Sequence, residues 1–434
     1  MFMTKPILGR NRWTVMVLYN IFYFFFVIIS IPILFVKGKW HSGFWMRLGI
    51  WSESVQQELR YKNNIWIHAV SVGEIFAVQG MIKQLKQAHP TFHIVVSTVT
   101  RTGYQLAAHK FKEETVIYAP LDFGFSVERY IHFIRPKIYI SAETEIWPQL
   151  FLAFKRHQIK IVLVNGRISE KSLHHYQYVK AFLKLILEAV TYFCMQTAQD
   201  AERIKSLGAS ADKVIISGNM KFDDVLDDIP ARLKSVEWLS KELLWVAGST
   251  HPGEEAIVLR VFKKLQSEFK QLRLMIASRH VERFSKIVDL IRSHDLTPRQ
   301  FSQFQASQLA DYEVMVVDTI GDLRYLYSFA SVVFIGKSLT VRGGQNILEP
   351  AFYAKPIVVG PYVQNFKDVV NIFENNNALK QVRDEKDLYE ALQELLRDSS
   401  RRTKMGEAAQ ETVLQYRGAT TQILKIISPL LPAV

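Results

Sequence analysis

Glutamates stand directly after two of the strands predicted in the first half of the chain. Glu74 comes after the run Ile65–Val70, and Glu143 and Glu145 come after the run Lys137–Ser141. Open parallel α/β sheets bind their ligands at the carboxyl ends of the strands. A carboxylate there is suited to act as a general base that deprotonates an attacking hydroxyl. Glu74 is therefore a candidate catalytic base.

The same carboxylates also have structural interpretations. Ser71 and Glu74 fit a capping box, in which each side chain satisfies a backbone amide at the helix start. Burying Glu143 or Glu145 without a partner is costly, so we expect one of them to pair with Arg167, at the end of the next strand. That ion pair and a role in positioning substrate both stay open.

The second half of the chain carries residue types suited to binding a nucleotide. Two glycines open the segment Gly343–Pro350 and lead into a predicted helix start, where backbone amides and the helix dipole attract an anion. Glu349 is suited to accept hydrogen bonds from ribose hydroxyls, and Arg279 is suited to reach a phosphate. In the structural alternatives, Asn346 caps the helix and Arg279 forms a surface ion pair. The cap and the nucleotide site are compatible, because both use the same helix end.

Other chemistries lack their usual signatures. The sequence has no GxxxxGK[ST] loop, which argues against ATPase or kinase chemistry of the P-loop type. It has no HExxH motif and no Cys/His cluster, so we expect no tightly bound metal. The single cysteine, Cys194, lies in an apolar run and is predicted to be a buried small hydrophobe in a reducing, cytoplasm-facing protein.

Short apolar runs that alternate with longer helical patterns position these residues. Most of the runs are continuous rather than alternating, which is typical of parallel strands covered by helices on both faces. Strand–helix repetition of this kind predicts doubly wound α/β sheets. The predicted strands are Ile65–Val70, His93–Ser97, Thr115–Tyr118, Lys137–Ser141, Lys160–Val164, Thr191–Gln196, Leu243–Ala247, Arg273–Ala277, Glu313–Val317, Ser331–Ile335 and Pro356–Val359.

A segment with an acidic cluster separates the two series of strands. Gly218–Ser235 has no strong apolar periodicity and contains Pro230, so we interpret it as the connection between two α/β domains. The chain of 434 residues is long enough for both. We predict an amino-terminal domain over residues 45–217 and a carboxy-terminal domain over residues 236–434.

An uncharged apolar segment covers residues 14–36. It is long enough to cross a hydrocarbon core of roughly 30 Å as a helix, and it is too long for a signal peptide. We predict a membrane anchor helix here. Basic residues flank both ends, so its orientation, and whether it spans or dips into the membrane, stay open.

The net charge of +13 requires an anionic partner or a solvated surface. No helix-turn-helix, zinc finger or aromatic RNA-binding signature appears, so we expect no nucleic acid partner. An anionic membrane surface and an anionic nucleotide account for the charge equally well.

Together, these motifs resemble those of the bacterial 3-deoxy-D-manno-octulosonic acid (Kdo) transferases of lipopolysaccharide synthesis. The resemblance covers nearly the whole chain, through His-Ala-Val-Ser-Val-Gly-Glu, Glu-Thr-Glu-Ile-Trp-Pro, Asn-Gly-Arg-Ile-Ser, Gly-Asn-Met-Lys-Phe-Asp and Gly-Gly-Gln-Asn-Ile-Leu-Glu-Pro-Ala. It implies a GT-B fold, with two Rossmann-like domains facing a cleft. It further implies an inverting enzyme that moves Kdo from the donor CMP-Kdo to a lipid A precursor (lipid IVA), without a separate cofactor. Such an enzyme contacts the lipids of the inner membrane, with its catalytic domains on the cytoplasmic side.

The resemblance also assigns roles by position. Glu74 matches the family's proton acceptor. The nucleotide site would comprise Ser278, Arg279, Ile320, Gly321, Asp322, Asn346, Ile347, Leu348 and Glu349. The chain departs from the family pattern where Ser278 and Val281 replace prolines, Lys337 replaces a glycine and Gln345 replaces a histidine. Glutamine can still donate a hydrogen bond.

Three alternatives make different predictions. A transferase of the same fold that uses a UDP-sugar for envelope lipid precursors would be inhibited by UDP rather than CMP. A non-catalytic membrane protein that binds nucleotide or lipid would be insensitive to the loss of Glu74. A nucleic-acid-binding protein would show an affinity for DNA that depends steeply on salt.

Overall fold

The computed structural model describes residues 10–36, 43–60, 63–223, 230, 233, 239, 242–303, 312–340 and 343–432. The chain divides into two compact units: Met1–Asp224 with Arg417–Val434 form the first, and Val225–Tyr416 form the second. Over the described residues, each unit contains one parallel sheet of seven strands with helices between them. The predicted α/β class with two Rossmann-like parallel sheets is confirmed.

The sheet of the first unit has the spatial order β3-β2-β1-β4-β5-β6-β7. Its central strands are buried along almost their whole length, as their continuous apolar runs require. Alternate side chains enter the apolar cores on the two faces, with Trp66 on one and Ile67 on the other. The strands are β1 Asn64–His68, β2 His93–Thr98, β3 Thr115–Tyr118, β4 Pro136–Ala142, β5 Lys160–Gly166, β6 Tyr192–Met195 and β7 Val214–Ile216.

Helices of the first unit connect these strands and precede the sheet. They are α1 Arg10–Val36, α2 Phe44–Arg47, α3 Glu53–Leu59, α4 Val72–Ala88, α5 Arg101–Lys110, α6 Gly124–Ile134, α7 Pro148–Arg156, α8 Glu170–Gln177, α9 Lys180–Leu187 and α10 Ala198–Ser206. Cys194, on β6, is fully buried as predicted, and burial raises the pKa of its thiol to about 12.

The sheet of the second unit has the order β10-β11-β9-β8-β12-β13-β14. All strands predicted from the sequence are observed in the two sheets. The three that were not predicted, β7, β10 and β14, are short strands at sheet edges, with too few residues to show an apolar pattern. The strands are β8 Leu243–Thr250, β9 Leu272–Ser278, β10 Pro298–Gln300, β11 Val314–Val316, β12 Val332–Ile335, β13 Ile357–Val359 and β14 Lys380–Gln381.

The last helix of the chain returns to the first unit. Asp223 is buried, and its carboxylate accepts hydrogen bonds from the amides of Gly418 and Thr420, at the start of that helix. The chain from Arg417 onwards therefore packs with the first unit, whereas the predicted second domain extended to residue 434. The remaining helices are α11 Glu254–Glu268, α12 Phe284–Ser293, α13 Leu323–Leu326, α14 Leu348–Phe352, α15 Lys367–Asn375, α16 Glu385–Arg397, α17 Ser399–Tyr416 and α18 Ala419–Ile427.

Helix α1 lies against the first unit by one face. The Tyr19 hydroxyl donates to the Asp122 carboxylate at 2.7 Å, and the Asp122 amide donates to the Tyr23 hydroxyl at 3.1 Å. Asp122 also accepts from two amides at the start of α7, so one buried carboxylate joins α1 to the sheet domain. Within the described part of the chain, no helix combines the length and apolar character needed to cross a membrane.

Candidate functional site

The carboxylates of the first unit lie where the strand order of its sheet reverses. Strands β1 and β4 pair directly, although β1 is followed in the chain by β2 on its other side. Ligands of open α/β sheets bind at this position, beyond the carboxyl ends of the two strands. Glu74 follows β1, on the first turn of α4, and Glu143 and Glu145 follow β4. The structure therefore brings the three predicted glutamates to one edge of the sheet.

Glu74 is held by two local hydrogen bonds and is only 6% exposed. Its Oε2 accepts from the Val70 amide at 2.7 Å, and its Oε1 accepts from the Ser71 hydroxyl at 2.9 Å. Burial raises the pKa of this carboxyl to about 7, and the nearby Glu143 and Glu145 also contribute to the increase. A carboxylate with a pKa near neutrality is suited to general base catalysis.

Only half of the predicted capping box forms: Glu74 accepts a hydrogen bond from a backbone amide, but the Ser71 side chain does not. Ser71 stands at the N-cap of α4, but its side chain makes no hydrogen bond to the amides of the first turn. The Ser71 hydroxyl instead donates to Glu74, because the buried carboxylate is the stronger acceptor. Ser71 thus orients the candidate base.

Glu143 forms the predicted pair with Arg167. Its Oε2 lies 3.8 Å from Nε of Arg167, and its backbone is left-handed, with a φ of 55°. Burial, followed by the charge of Glu143, raises the pKa of Glu145. The cluster therefore carries closely spaced carboxyl groups, and mutual repulsion favours proton uptake by the more buried members.

His68 is the last residue of β1 and was not identified from the sequence as a site residue. It is 1% exposed, its Nδ1 lies 2.9 Å from the Ser97 hydroxyl, and its ring contacts that of Trp147. Burial lowers the pKa of His68 to about 4, so the imidazole is neutral at physiological pH. The sequence signals were a polar residue within an apolar run and its place at the start of the His-Ala-Val-Ser-Val-Gly-Glu motif.

The second unit has its own reversal of strand order, between β8 and β12. Ser278 is the last residue of the neighbouring strand β9, and Arg279 follows it. The Ser278 hydroxyl accepts from Nη1 of Arg283 at 3.2 Å, and this arginine forms a 2.6 Å ion pair with the buried Glu255. Ser278 is thus fixed by an internal network, whereas the Arg279 side chain is exposed. Arg279 is the member of this pair that a ligand can reach.

A buried glutamate fixes the loop that follows β12. The carboxylate of Glu254, which is fully buried, accepts from the amides of Lys337 at 2.7 Å, Ser338 at 2.9 Å and Leu339 at 2.9 Å. It also accepts from the His251 amide at 2.9 Å, in the loop that precedes its own helix. Glu254 is suited by sequence to the start of its helix, but its role in holding this loop was not predicted, because its partners in the loop are more than eighty residues away.

The two glycines that open the segment Gly343–Pro350 donate their amides within the second unit. The Gly343 amide donates to Oε1 of Gln364 at 3.0 Å, and the Gly344 amide donates to the Lys337 carbonyl at 2.7 Å. Lys337 precedes the segment and Gln364 follows it, so both glycine amides have acceptors outside the segment. The expected binding of an anion by backbone amides at this helix start stays a prediction for the amides beyond the glycines.

The helix start beyond these glycines differs from the prediction by one residue. The Asn346 side chain accepts from the Leu348 amide at 3.0 Å, as a cap does, but α14 begins at Leu348 and the residue at its N-cap position is Ile347. Ile347 and Leu348 are buried. Glu349 accepts from Nδ2 of Asn346 at 3.3 Å, and its carboxylate thus lies beside the cap.

The remaining predicted nucleotide-binding residues lie in the turn before α13. Gly321 has a φ of 91° in this turn, where Ile320 is 86% exposed and Asp322 is 2% exposed. The turn and the start of α14 follow strands β11 and β12 of the same sheet. Among the residues that the structure describes, no group of His, Cys, Asp or Glu is arranged to hold a metal ion.

Comparisons with known proteins agree with this arrangement. The family model of 3-deoxy-D-manno-octulosonic-acid transferase (kdotransferase) matches residues 42–224, which include all three glutamates. The 3-deoxy-D-manno-octulosonic acid transferase of Haemophilus influenzae is 32% identical over 374 residues, covering 85% of this chain and 87% of that protein. A bifunctional glycosyltransferase/methyltransferase of Fusobacterium nucleatum is 36% identical over 321 residues, covering 72% of this chain and 49% of that protein.

Solved structures show a likeness in fold. The UDP-GlcNAc 2-epimerase from Neisseria meningitidis, bound to UDP-GlcNAc, has a TM-score of 0.57 at 14% identity, covering 84% of this chain and 100% of that chain. A glycosyltransferase from Rickettsia africae has a TM-score of 0.53 at 13% identity, covering 86% of this chain and 100% of that chain. At this level of identity the likeness concerns the fold alone.

Proposed function

The chain belongs to the 3-deoxy-D-manno-octulosonic acid (Kdo) transferase family, and we propose that it transfers Kdo from CMP-Kdo to a lipid A precursor such as lipid IVA. The observation that carries this proposal is the cluster of three glutamates, with Glu74 buried, at the strand-order reversal of the first unit. Glu74 in that cluster has a pKa of about 7, which suits proton transfer from a sugar hydroxyl.

In the proposed reaction, Glu74 acts as the general base. It takes the proton from the acceptor hydroxyl while that oxygen attacks the anomeric carbon of Kdo, on the face opposite CMP. The bond between the anomeric carbon and the phosphate oxygen breaks, and CMP leaves with the bonding electrons. The configuration at the anomeric carbon is thereby inverted. His68 does not compete for the proton, because its pKa lies near 4.

The second unit binds the donor in this proposal. Arg279 is exposed beyond β9, where its guanidinium can stabilise the leaving phosphate. Glu349 accepts hydrogen bonds from the ribose hydroxyls, with Asn346 fixing its carboxylate. Ile320, Gly321 and Asp322 complete the nucleotide site, and no further cofactor takes part.

We expect α1 to hold the enzyme on the inner membrane, with the two units on the cytoplasmic side. One face of α1 packs on the first unit, and the other presents apolar side chains to the surroundings. The most exposed of these include Leu18 at 61%, Phe22 at 71%, Phe25 at 56% and Ile29 at 64%. Their spacing of three or four residues places them in one stripe, as in a helix buried at a lipid interface.

A lipid mass measurement tests the proposed function. The purified protein is incubated with lipid IVA and CMP-Kdo formed in situ, and the lipid is weighed by mass spectrometry. A gain of one or more Kdo units supports the proposal. No gain with folded protein and a proven donor supply contradicts it, and inhibition by UDP rather than CMP would favour a UDP-sugar donor.

The exposed stripe of α1 provides a separate prediction. We expect Phe22→Asp combined with Phe25→Asp to shift most of the protein away from vesicles containing anionic lipid in a flotation assay, because charges at these positions oppose burial in lipid. Kdo transfer to detergent-solubilised acceptor should be retained. Tyr178→Asp, at an exposed aromatic residue outside α1, is the matched control. Unchanged flotation of the double variant would refute membrane contact through this stripe.

A further inference from the structure

Lys337, in the loop after β12, has an unusual backbone conformation for its residue type. Its φ of 57° lies in the left-handed region that non-glycine residues rarely adopt. The Kdo transferase pattern described above has a glycine at this position. Ser249, near the end of the neighbouring strand β8, is also left-handed, with a φ of 56°. Strained residues of this kind persist where the surrounding structure holds them, and they concentrate at functional sites.

The strained pair lies at the strand-order reversal of the second sheet. Strands β8 and β12 pair there, and the Gly336 amide donates to the Gly248 carbonyl at 2.8 Å. Lys337 and Ser249 each come one residue after this contact. They therefore occupy the position at which open α/β sheets bind ligands.

Contacts on both sides fix the backbone of Lys337. Its amide donates to Oε2 of Glu254 at 2.7 Å, and its carbonyl accepts from the Gly344 amide at 2.7 Å. Glu254 also holds the next two amides of the loop. The buried carboxylate of Glu254 and the amide of Gly344 thus hold Lys337 in the left-handed conformation. They thereby fix the direction in which its side chain leaves the backbone.

The surroundings of Lys337 are suited to an anion. The rings of His251 and His280 are 5.7 Å apart, and burial is the main cause that lowers the pKa of His251, with the charge of Lys337 contributing. His251 follows β8 and Lys337 follows β12, so both lie at the carboxyl ends of paired strands. The ion pairs found between described residues do not include Lys337, and its side chain is half-buried.

We propose that Lys337 binds an anionic group of the sugar-nucleotide donor, either its phosphate or the carboxylate of its sugar. The site lies at the carboxyl ends of β8 and β12. His251 follows β8 and His280 follows β9, so both imidazoles lie at the same end of the sheet. This inference rests on the proposed function and adds to its donor site a residue that the family pattern does not supply.

Lys337→Gly tests the inference with little risk to folding, because glycine adopts a φ of 57° readily. Calorimetry measures the binding of CMP and of cytidine, and kinetics measure KM for CMP-Kdo. If Lys337 contacts the phosphate, CMP should bind about tenfold more weakly or worse, as expected for one lost charge-assisted hydrogen bond, with cytidine unaffected. If it contacts the sugar carboxylate, CMP binding stays unchanged and KM for CMP-Kdo rises by about the same factor.

Asn377→Gly is the matched control, because Asn377 is another left-handed residue of the second unit, with a φ of 53°. This variant should leave CMP binding and KM unchanged. Unchanged CMP binding and unchanged KM in Lys337→Gly would overturn the inference while leaving the proposed function in place. Wild-type protein that neither binds CMP nor transfers Kdo would instead overturn the proposed function.

Discussion

Glu74→Gln is expected to lower kcat for Kdo transfer by about 10²–10⁴-fold, the usual contribution of a general base. The reason is that glutamine has nearly the same shape but cannot take the proton from the attacking hydroxyl. Its amide can still form hydrogen bonds to the Val70 amide and the Ser71 hydroxyl, so the local geometry should be kept. Single-turnover measurement of the Kdo–lipid product gives the rate of the chemical step.

Two measurements separate a lost base from a damaged fold. CMP binding should be unchanged in Glu74→Gln, because the proposed nucleotide-binding residues belong to the second unit. Glu113→Gln, at an exposed glutamate of the first unit paired with Lys86, is the matched control and should keep full activity. Retention of wild-type turnover by Glu74→Gln would remove Glu74 from the mechanism.

The raised pKa of Glu74 also sets the pH dependence. Because the base must be ionised and its pKa is about 7, kcat/KM should rise with pH up to about 7 and then level off. Burial makes the ionised form unfavourable in the folded protein, so the stability that the neutral carboxyl provides is lost as pH rises through 7. The unfolding temperature of Glu74→Gln minus that of the wild type should therefore be larger at pH 8 than at pH 5. The rise in kcat/KM near pH 7 should be absent from the residual activity of the variant.

Glu254→Ala is expected to destabilise the second unit by about 3–5 kcal/mol, because it leaves four backbone amides without their shared acceptor. For a unit of this size, that loss corresponds to a fall of roughly 10 °C in the unfolding temperature. CMP binding should also weaken, since the loop that carries Lys337 loses its anchor. Differential scanning calorimetry and CMP titration below the unfolding temperature measure the two effects.

The surface carboxylate Glu390 provides the comparison for this variant. Glu390 lies 3.8 Å from Lys386 on α16, and both side chains are largely exposed. Glu390→Ala should change the unfolding temperature by little, as exposed ion pairs contribute about 0–1 kcal/mol. If Glu254→Ala unfolds at the same temperature as Glu390→Ala, the Glu254 carboxylate does not hold the loop after β12.

The sequence was sufficient to predict features encoded by neighbouring residues. Continuous apolar runs located the long strands of both sheets, and the residues just beyond those runs included Glu74, Glu143 and Arg279. The motifs, taken in order, also indicated the family. The pairing of Glu143 with Arg167 was predictable because both residues follow adjacent parallel strands, which bring their carboxyl ends to the same edge.

Other features depended on residues far apart in the chain. Asp223 binds the start of α18 nearly two hundred residues later, which returns the end of the chain to the first unit. Glu254 likewise holds a loop more than eighty residues away. No local pattern records such contacts, because each depends on which elements the fold brings together.

The sequence by itself determined the elements, the family and the identity of the candidate base, since these follow from local patterns and contiguous motifs. Only the tertiary structure decided that His68 is neutral and that Glu74 titrates near pH 7. A pKa depends on how much water and which charges surround a group. Those surroundings are assembled from several strands, and they exist only once the chain has folded.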